Sequence, residues 1–186
     1  TNNLKTQHFS PDGKYFITSP NNAVTQLHEP RSGRILNTFV ADAVFGYVEC
    51  AQFSDNGKYL LTAGFDRAGH LWDLSNGTEM SKLSGHTLYT NTLEFSKDGK
   101  YFVTASDDGT ARMVDASTGA ALVSLKGHQQ EIMYSEFSPD GQRMLTVSRD
   151  ATARIWDNSG KQLQVLQGHK ALIFRGEFSP DGTKVV

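Results

Sequence analysis

The sequence predicts an all-β protein made of repeated units, each with four short antiparallel strands. The first observation behind this prediction is a turn motif of the type "FSPDGKYF" that recurs along the chain. Its phenylalanines are separated by 44, 42, 42 and 41 residues and stand at Phe9, Phe53, Phe95, Phe137 and Phe178. A regular period of this length indicates a repeat architecture.

Two further landmarks keep the same register. A turn glycine occurs once in each complete unit, at Gly33, Gly77, Gly119 and Gly160. The position 19 residues after each phenylalanine is occupied by His28, Trp72, Val114 and Trp156. Three landmarks in one register are hard to obtain by chance, so the repeat decides the architecture.

Each unit starts with a tight turn and a strand. An Asp-Gly or Asn-Gly pair supplies the positive φ angles that a tight hairpin requires. The segments that follow, such as "KYFITS", "KYLLTA" and "KYFVTA", are rich in β-branched and aromatic residues, as strands are. Polar turns then lead into a second short strand that ends at the tryptophan position. These turns read "SPNNA", "GFDRA", "SDDGT" and "SRDAT".

Two more strands complete each unit. A glycine-containing turn precedes the third strand, which reads "RILNTF", "TEMSKL", "AALVSL" or "KQLQVL". The segment before the next phenylalanine, such as "TLYTNTLEF", makes the fourth strand, and no helical 3.6-residue pattern interrupts the array. We therefore expect a single repeat domain over 1–186. Its complete units lie at about 1–39, 44–83, 86–125 and 128–166, and a partial fifth lies at 169–186.

Two dipeptides within the repeat carry a family resemblance. Gly-His pairs stand at 85–86, 127–128 and 168–169, and Trp-Asp pairs stand at 72–73 and 156–157. In this respect the chain resembles the Trp-Asp (WD) repeat β-propeller family over essentially its whole length. The resemblance implies that each unit is one four-stranded blade of a propeller. The first unit departs from the pattern, with His28-Glu29 at the Trp-Asp position, and the third unit has Val114-Asp115 there.

The resemblance also implies a buried chain of hydrogen bonds inside each blade. It joins the histidine of Gly-His, a serine or threonine, the aspartate of the following turn and the tryptophan. In the fourth unit the expected members are His128, Ser148, Asp150 and Trp156. The third unit keeps His86, Ser106 and Asp108, and the second keeps Asp66 and Trp72 without the Gly-His histidine.

The serine, histidine and aspartate of this set also have the composition of a hydrolase triad. We favour the structural interpretation, because the set recurs with the repeat whereas a catalytic triad is usually unique in a chain. A triad would also need an oxyanion hole and a substrate cleft. The sequence shows no converging metal ligands and no phosphate-binding glycine-rich loop. We therefore expect no catalytic residue, no metal and no cofactor, and hence no enzyme.

The composition limits the classes of partner that we expect for this chain. With 18 basic and 20 acidic residues the net charge is −2, which disfavours binding to nucleic acid. No apolar run approaches the roughly 18 residues of a membrane span, so we expect no membrane partner. The single cysteine, Cys50, excludes an internal disulfide. It fits a reducing compartment without requiring one, and we expect a cytoplasmic protein.

The family resemblance implies a non-catalytic platform that binds proteins or peptides through one face of the blades. One set of candidate residues lies at the start of each innermost strand: Tyr47, Glu49, Tyr89, Asn91, Glu131, Met133, Leu172 and Phe174. The second set immediately precedes each turn aspartate: Phe65, Asp107 and Arg149. For each candidate, packing between blades is the alternative.

Other roles stay open at this point. A hydrolase or oxidoreductase on a propeller scaffold is one alternative, and a purely structural spacer array is another. Because the fifth unit is partial, we expect this segment to belong to a larger propeller. The remaining blades would come from the same longer chain or from another copy. In that case the segment could be the sensor or regulatory part of a multidomain protein.

Overall fold

The computed structural model describes residues 5–6, 9–21, 24–40 and 48–186. Within these ranges the chain forms sixteen short strands and no helix, so the predicted all-β class is confirmed. In the same residues there is consequently no helix that is long and apolar enough to cross a membrane.

Three of the sheets are blades of four consecutive antiparallel strands. Blade 2 contains β5 (Val48–Phe53), β6 (Tyr59–Gly64), β7 (Gly69–Asp73) and β8 (Glu79–Leu83). Blade 3 contains β9 (Thr90–Phe95), β10 (Tyr101–Ser106), β11 (Thr110–Asp115) and β12 (Ala121–Lys126). Blade 4 contains β13 (Ile132–Phe137), β14 (Arg143–Ser148), β15 (Ala153–Asp157) and β16 (Gln162–Leu166).

Blade 1 is less regular than the other three. It contains β2 (Phe16–Asn21), β3 (Val24–His28) and β4 (Ile35–Val40). Its expected innermost strand is represented, among the described residues, by an isolated bridge between Phe9 and Phe16. The preceding β1 (Lys5–Thr6) pairs in parallel with β5 of blade 2, which the sequence did not predict. The irregular blade is the one whose sequence departs most from the repeat.

The partial fifth unit, expected at 169–186, contains a short hairpin. Phe178 and Val185 form an antiparallel bridge. Glu177 and Val186 exchange backbone hydrogen bonds of 2.9 and 3.0 Å across the same turn. The array is therefore a partial propeller of four blades followed by the beginning of another.

The hydrophobic core lies between successive blades and not within one sheet. Neighbouring residues of one strand point to opposite faces, so a central strand serves two cores at once. On β10, Phe102 packs into the core shared with blade 2, whereas Val103 packs into the core shared with blade 4. Both side chains are fully buried. Blade 3 is thus apolar on both faces, because a neighbouring blade packs against each of them.

Side-chain hydrogen bonds also cross from one blade to the next. The Oε1 atom of Gln52 on β5 accepts a hydrogen bond of 2.8 Å from the backbone N–H of Phe95 on β9. Glu136 on β13 accepts in the same way from the backbone N–H of Phe178. Both acceptors stand immediately before the repeat phenylalanine. These bonds fix the positions of neighbouring innermost strands relative to each other.

The turn glycines between the third and fourth strands make close contacts with the preceding blade. Gly119 has a φ of +69°, a conformation that side chains with a Cβ rarely adopt. A Cβ added there would also lie 2.5 Å from the Cβ of Ser81 on β8. The equivalent Gly160 would meet a side-chain atom of Val123 on β12 at 2.4 Å. At Gly119 and Gly160 the glycine is therefore required both by the turn and by blade packing.

Candidate functional site

Blade 4 contains a continuous hydrogen-bonded chain of buried side chains. The indole Nε1 of Trp156 donates to the Oγ1 of Thr146 at 2.9 Å. That oxygen lies 2.8 Å from the Nε2 of His128, whose Nδ1 lies 2.9 Å from the carboxylate of Asp150. A carboxylate only accepts, so Nδ1 carries the hydrogen and the threonine hydroxyl donates to Nε2. Every member is satisfied by a neutral imidazole.

The structure corrects the serine that was predicted for this chain. Ser148 donates to the backbone carbonyl of Gln130 at 3.2 Å and accepts from the backbone N–H of Asp150 at 3.1 Å. Trp156 is paired with Met144 across the sheet, so its indole reaches the next residue on that face, Thr146. Ser148 stands four residues beyond Met144, about 13 Å along the strand, and is too far away.

Blade 3 repeats the arrangement without the indole. His86 lies 3.0 Å from both the hydroxyl of Thr104 and the carboxylate of Asp108. Ser106 is again displaced from the chain and donates to the backbone carbonyl of Leu88. The missed threonine had a signal in the sequence, since one stands at the same register in every complete unit. These residues are Thr18, Thr62, Thr104 and Thr146.

Blade 2 keeps Trp72 and Asp66 but obtains its imidazole from another place. Trp72 donates to Thr62 at 2.8 Å, as in blade 4. The imidazole belongs to His70 on β7, which lies 2.5 Å from Asp66 and 2.7 Å from Glu79. His70 was not predicted from the sequence, because the family pattern places the histidine in the loop before the innermost strand. In blade 1, His28 takes the tryptophan position and contacts Thr18 at 2.8 Å.

Burial and hydrogen bonding fix the charge states in blades 3 and 4. Burial lowers the pKa of His86 and of His128, which favours their neutral forms. Burial tends to raise the pKa of Asp150. The hydrogen bonds from Thr152, the Gln129 backbone and His128 outweigh it, and that pKa lies well below its usual value. Burial also tends to raise the pKa of Asp108, but its hydrogen bonds, chiefly the one from Thr110, hold that pKa below its usual value.

The same groups are not arranged as a catalytic site. The side chain of His128 is 0% exposed and that of His86 is 1% exposed, so neither imidazole is open to a substrate. The hydroxyl of Ser148 bonds to backbone atoms and not to an imidazole. Across the described ranges, no group of three or more His, Cys, Asp or Glu side chains is placed to hold a metal ion.

The ends of the blades that carry the turn aspartates form a face, which we call the upper face. It comprises the β6–β7, β10–β11 and β14–β15 turns and the starts of β5, β9 and β13. Backbone bonds join these parts, since Asp107 donates to Tyr89 at 2.9 Å and Arg149 donates to Glu131 at 3.0 Å. The two candidate sets of the sequence analysis therefore meet at the same face of blades 3 and 4.

Three of the predicted face residues occupy equivalent β-bulges. The register between the first two strands of a blade shifts by one residue at these positions, and the extra residues are Glu49, Asn91 and Met133. A bulge redirects a side chain and often stands beside a functional site. Asn91 uses this position to donate to Asp107 at 2.6 Å and to the backbone carbonyl of Ile132 in blade 4 at 3.0 Å.

The other candidates form local pairs or stand exposed. Phe65 and Tyr89 stack, with ring centroids 4.2 Å apart and an interplanar angle of 18°. Tyr89 is 41% exposed. Arg149 and Glu131 form an ion pair at 3.7 Å. On the segment after β16, Leu172 is 43% exposed and Phe174 is 65% exposed. Tyr47 lies outside the described residues.

Two clefts open between these residues on the upper face. One of about 450 Å³ lies between the β14–β15 turn and the segment after β16, and Arg149, Lys170 and Leu172 line it. Another of about 290 Å³ is lined by Asp107 and Glu131 and lies at the junction of blades 3 and 4. The face therefore offers an aromatic pair, two exposed apolar side chains after β16 and two clefts at blade junctions.

Comparison with known proteins agrees with this architecture. The sequence model of the WD40 family, described as "WD domain, G-beta repeat", matches residues 33–73, 77–115 and 119–157, which make up more than half of the chain. The chain belongs to this family. Each matched unit begins at the turn before the outermost strand of one blade and ends with the third strand of the next. WD-repeat domains are generally protein-interaction scaffolds and are typically not enzymes.

One relative is similar over a shorter region. The chain is 42% identical over 45 residues to "WD repeat domain-containing protein 83" from Danio rerio. The similarity covers 24% of this chain and 14% of the relative. The chain thus spans only a small part of the length of this relative, and the similarity supports the repeat more than any whole-protein role.

Proposed function

We propose that this chain is a non-catalytic platform that binds a protein or peptide through its upper face. The observation that carries the proposal is the stacked pair of Phe65 and Tyr89, which is partly exposed at the junction of blades 2 and 3. Aromatic side chains are enriched among the residues that dominate binding energy at interfaces. Here the pair stands on turns of a stiff scaffold, where function usually lies.

The blade chains support a scaffold role more than an enzymatic one. A fully satisfied buried network rigidifies the sheet that contains it. Both ring nitrogens of each histidine are hydrogen-bonded to a threonine, Thr104 or Thr146, and to a turn aspartate. They have no free nitrogen to offer a substrate. These contacts favour a platform whose chemistry is binding.

The net charge and the partial propeller support proposals about the kind of partner and about the larger protein. A net charge of −2 favours a protein partner over nucleic acid or a membrane surface. Because the propeller is partial, we propose that its remaining blades come from the same longer chain or from a second copy. The segment would then be the sensor or regulatory part of a larger protein. A single buried Cys50 is compatible with the cytoplasm, which cell fractionation would test.

The proposal is tested by affinity capture of the intact protein from the source cell, with the bound proteins identified by mass spectrometry. The test variant combines Phe65→Ala with Tyr89→Ala. The matched control is Leu122→Ala, which removes an exposed apolar side chain from β12 on the outer edge of blade 3. We expect the double variant to lose specific partners that the control retains. Identical captured sets would contradict binding through this face, and no specific partner at all would favour the spacer role.

A further inference from the structure

The buried histidine of blade 2 has a different position and different hydrogen-bond partners from those of blades 3 and 4. It lacks the histidine before its innermost strand and places His70 on β7 instead. In the repeat this position is Arg112 in blade 3 and Arg154 in blade 4, as the strand registers show. A histidine therefore stands where the neighbouring blades use a permanently charged side chain.

The contacts of His70 define its protonation state. Its Nε2 lies 2.5 Å from the Oδ2 of Asp66, and its Nδ1 lies 2.7 Å from the Oε1 of Glu79. Carboxylates accept hydrogen bonds and cannot donate them, whereas a neutral imidazole has only one N–H. Both contacts are satisfied together only by an imidazolium with two N–H groups. In blades 3 and 4 the second nitrogen faces a hydroxyl, which can donate, so a neutral ring suffices.

The surroundings stabilise this charge. The His70 side chain is 3% exposed and that of Asp66 is 6% exposed, so the pair is shielded from water. Burial by itself lowers the pKa of His70, but the hydrogen bonds and charges of Asp66 and Glu79 outweigh it and the net pKa is raised. Burial tends to raise the pKa of Asp66, but the interactions with His70 and the Ala68 backbone hold that pKa below its usual value.

Beside Asp66 and Glu79, one further charged side chain lies near His70. Lys82 on β8 is paired with His70 across the sheet and lowers the pKa of Asp66. On the strand itself, Trp72 stacks on the imidazole with centroids 5.7 Å apart. Trp72 in turn contacts Phe39 of β4, a strand that carries no charged residue. Among the described residues, the charged groups to consider are thus Asp66, Glu79 and Lys82.

The His70 cluster, defined as Asp66, His70 and Glu79, is connected to the upper face. Asp66 follows Phe65 directly and accepts a hydrogen bond from the Ala68 backbone at 3.3 Å, which closes the β6–β7 turn. The turn also contains Arg67 at a φ of +65°, a costly conformation for a residue with a Cβ. His70 therefore anchors a strained turn to the outer strand β8, and that turn carries one ring of the aromatic pair.

We propose that His70 controls the upper face through its proton. The imidazolium holds Asp66 and the β6–β7 turn so that Phe65 stacks on Tyr89, and loss of the proton releases the turn. The consequence for partner binding rests on the proposed function, whereas the charge state of His70 and its effect on the turn do not.

The direction of the pH dependence follows from linkage. Because the pKa of His70 is raised in the folded protein, its contribution is complete below the usual imidazole value and is lost as pH rises through the raised value. The contribution of Asp66 has the opposite limit and is lost as pH falls through its lowered pKa. The cluster is therefore intact at mildly acidic pH and opens toward alkaline pH.

The test is a pH titration of the intact protein by long-range 1H–15N NMR of its imidazole rings. We expect both ring nitrogens of His70 to be protonated at neutral pH, while His86 and His128 show neutral rings. We further expect the ring signals of Phe65 and Tyr89 to shift together with the titration of His70. A neutral His70 at neutral pH, or aromatic signals that ignore its titration, would overturn the proposal.

Variants provide a second test that needs no partner. Glu79→Gln removes one carboxylate, so the titration midpoint of His70 should move toward acidic pH. Glu29→Gln, on an exposed turn of blade 1, is the matched control and should leave the midpoint unchanged. His70→Arg gives blade 2 the fixed charge of its neighbours and should abolish the pH dependence of the Phe65 and Tyr89 signals. An unshifted midpoint in Glu79→Gln refutes the proposal even if His70→Arg does not fold.

Partner capture distinguishes this proposal from the platform function. If the NMR results hold and no partner is captured, the platform function fails and the control of the turn by His70 stands. If partners are captured but binding and the aromatic signals are independent of His70, the platform function stands alone.

Discussion

A single threonine carries the connection inside each blade. In blade 4, Thr146 accepts a hydrogen bond from Trp156 and donates one to His128 within a fully buried environment. Thr62 accepts from Trp72 in the same way, and Thr18 contacts His28. The hydroxyl is thus used whichever ring is present. The rings vary from blade to blade, whereas the threonine does not, so this residue is where a substitution is most informative.

Thr146→Val keeps the shape of the side chain and removes its hydroxyl. The Trp156 indole N–H and the His128 Nε2 then lose their partner, so we expect unfolding to become easier by roughly 2–3 kcal/mol. Denaturant unfolding measures the loss. The matched control is Thr90→Val, since Thr90 is equally buried and its hydroxyl has no partner in the structure. We expect little loss there, and equal losses in the two variants would argue against the chain.

The protonation of His128 gives a prediction of opposite sign to that of His70. Burial lowers the pKa of His128, so below the usual imidazole pKa of about 6.5 the unfolded chain binds protons that the folded chain does not. We therefore expect stability from this site to decrease as pH falls from neutral through that value. His128→Gln removes the effect. Unfolding free energies at two pH values should show a shallower loss in the variant, and identical slopes would contradict the assignment.

At the scale of elements, turns set the spacing between blades as well as the reversal of the chain. The glycine between the third and fourth strands lies against the outermost strand of the preceding blade, as Gly119 lies against Ser81. The hairpin glycine before the second strand, such as Gly99, has the same φ but open space around it. Two glycines with one backbone conformation therefore serve different purposes.

A pair of substitutions separates these purposes. Gly99→Ala and Gly119→Ala both place a Cβ at a φ of +69°, which costs about 1 kcal/mol. Only Gly119→Ala adds a contact with Ser81 that requires blade 2 or blade 3 to move. We expect a larger loss of stability for Gly119→Ala, measured by denaturant unfolding. Equal losses would mean that the close approach of the turn does not contribute.

The same distinction explains how far the sequence could predict the structure. Strands, turn glycines and the register of the units were predictable, because they depend on local preferences that recur with the period. The exchange of Ser148 for Thr146 was not, since it depends on which cross-strand neighbour the Trp156 indole can reach. The bulges at Asn91 and Met133 could not be predicted either, because they arise from the pairing between strands.

The role of His70 could not be predicted from the sequence. Its role depends on Glu79 from the next strand and Asp66 from the preceding turn, which only the folded blade brings together. The location of the upper-face residues could be predicted from the sequence, since repeat position places equivalent residues at the same end of blades 3 and 4. Phe65 and Tyr89 were named from register alone, but their stacking across a blade junction is visible only in the structure.

At the scale of the whole molecule, the junctions between blades carry the shared core and the residues of the proposed binding face. Core residues such as Phe102 and Val103 face different neighbours, and Asn91 connects blade 3 to the backbone of blade 4. A partner that spans a junction would therefore contact two blades held in fixed positions by their shared core. The stacked aromatic pair lies at one such junction and the two clefts lie at others.

The most direct test of the proposed platform is hydrogen–deuterium exchange of the intact protein with and without a captured partner. We expect protection to concentrate in the β6–β7 and β10–β11 turns and in the segment before β9, which carry Phe65, Asp107 and Tyr89. The outermost strands β8, β12 and β16 should exchange equally in both states. Protection confined to those outer strands, with the upper face unchanged, would contradict binding through the upper face.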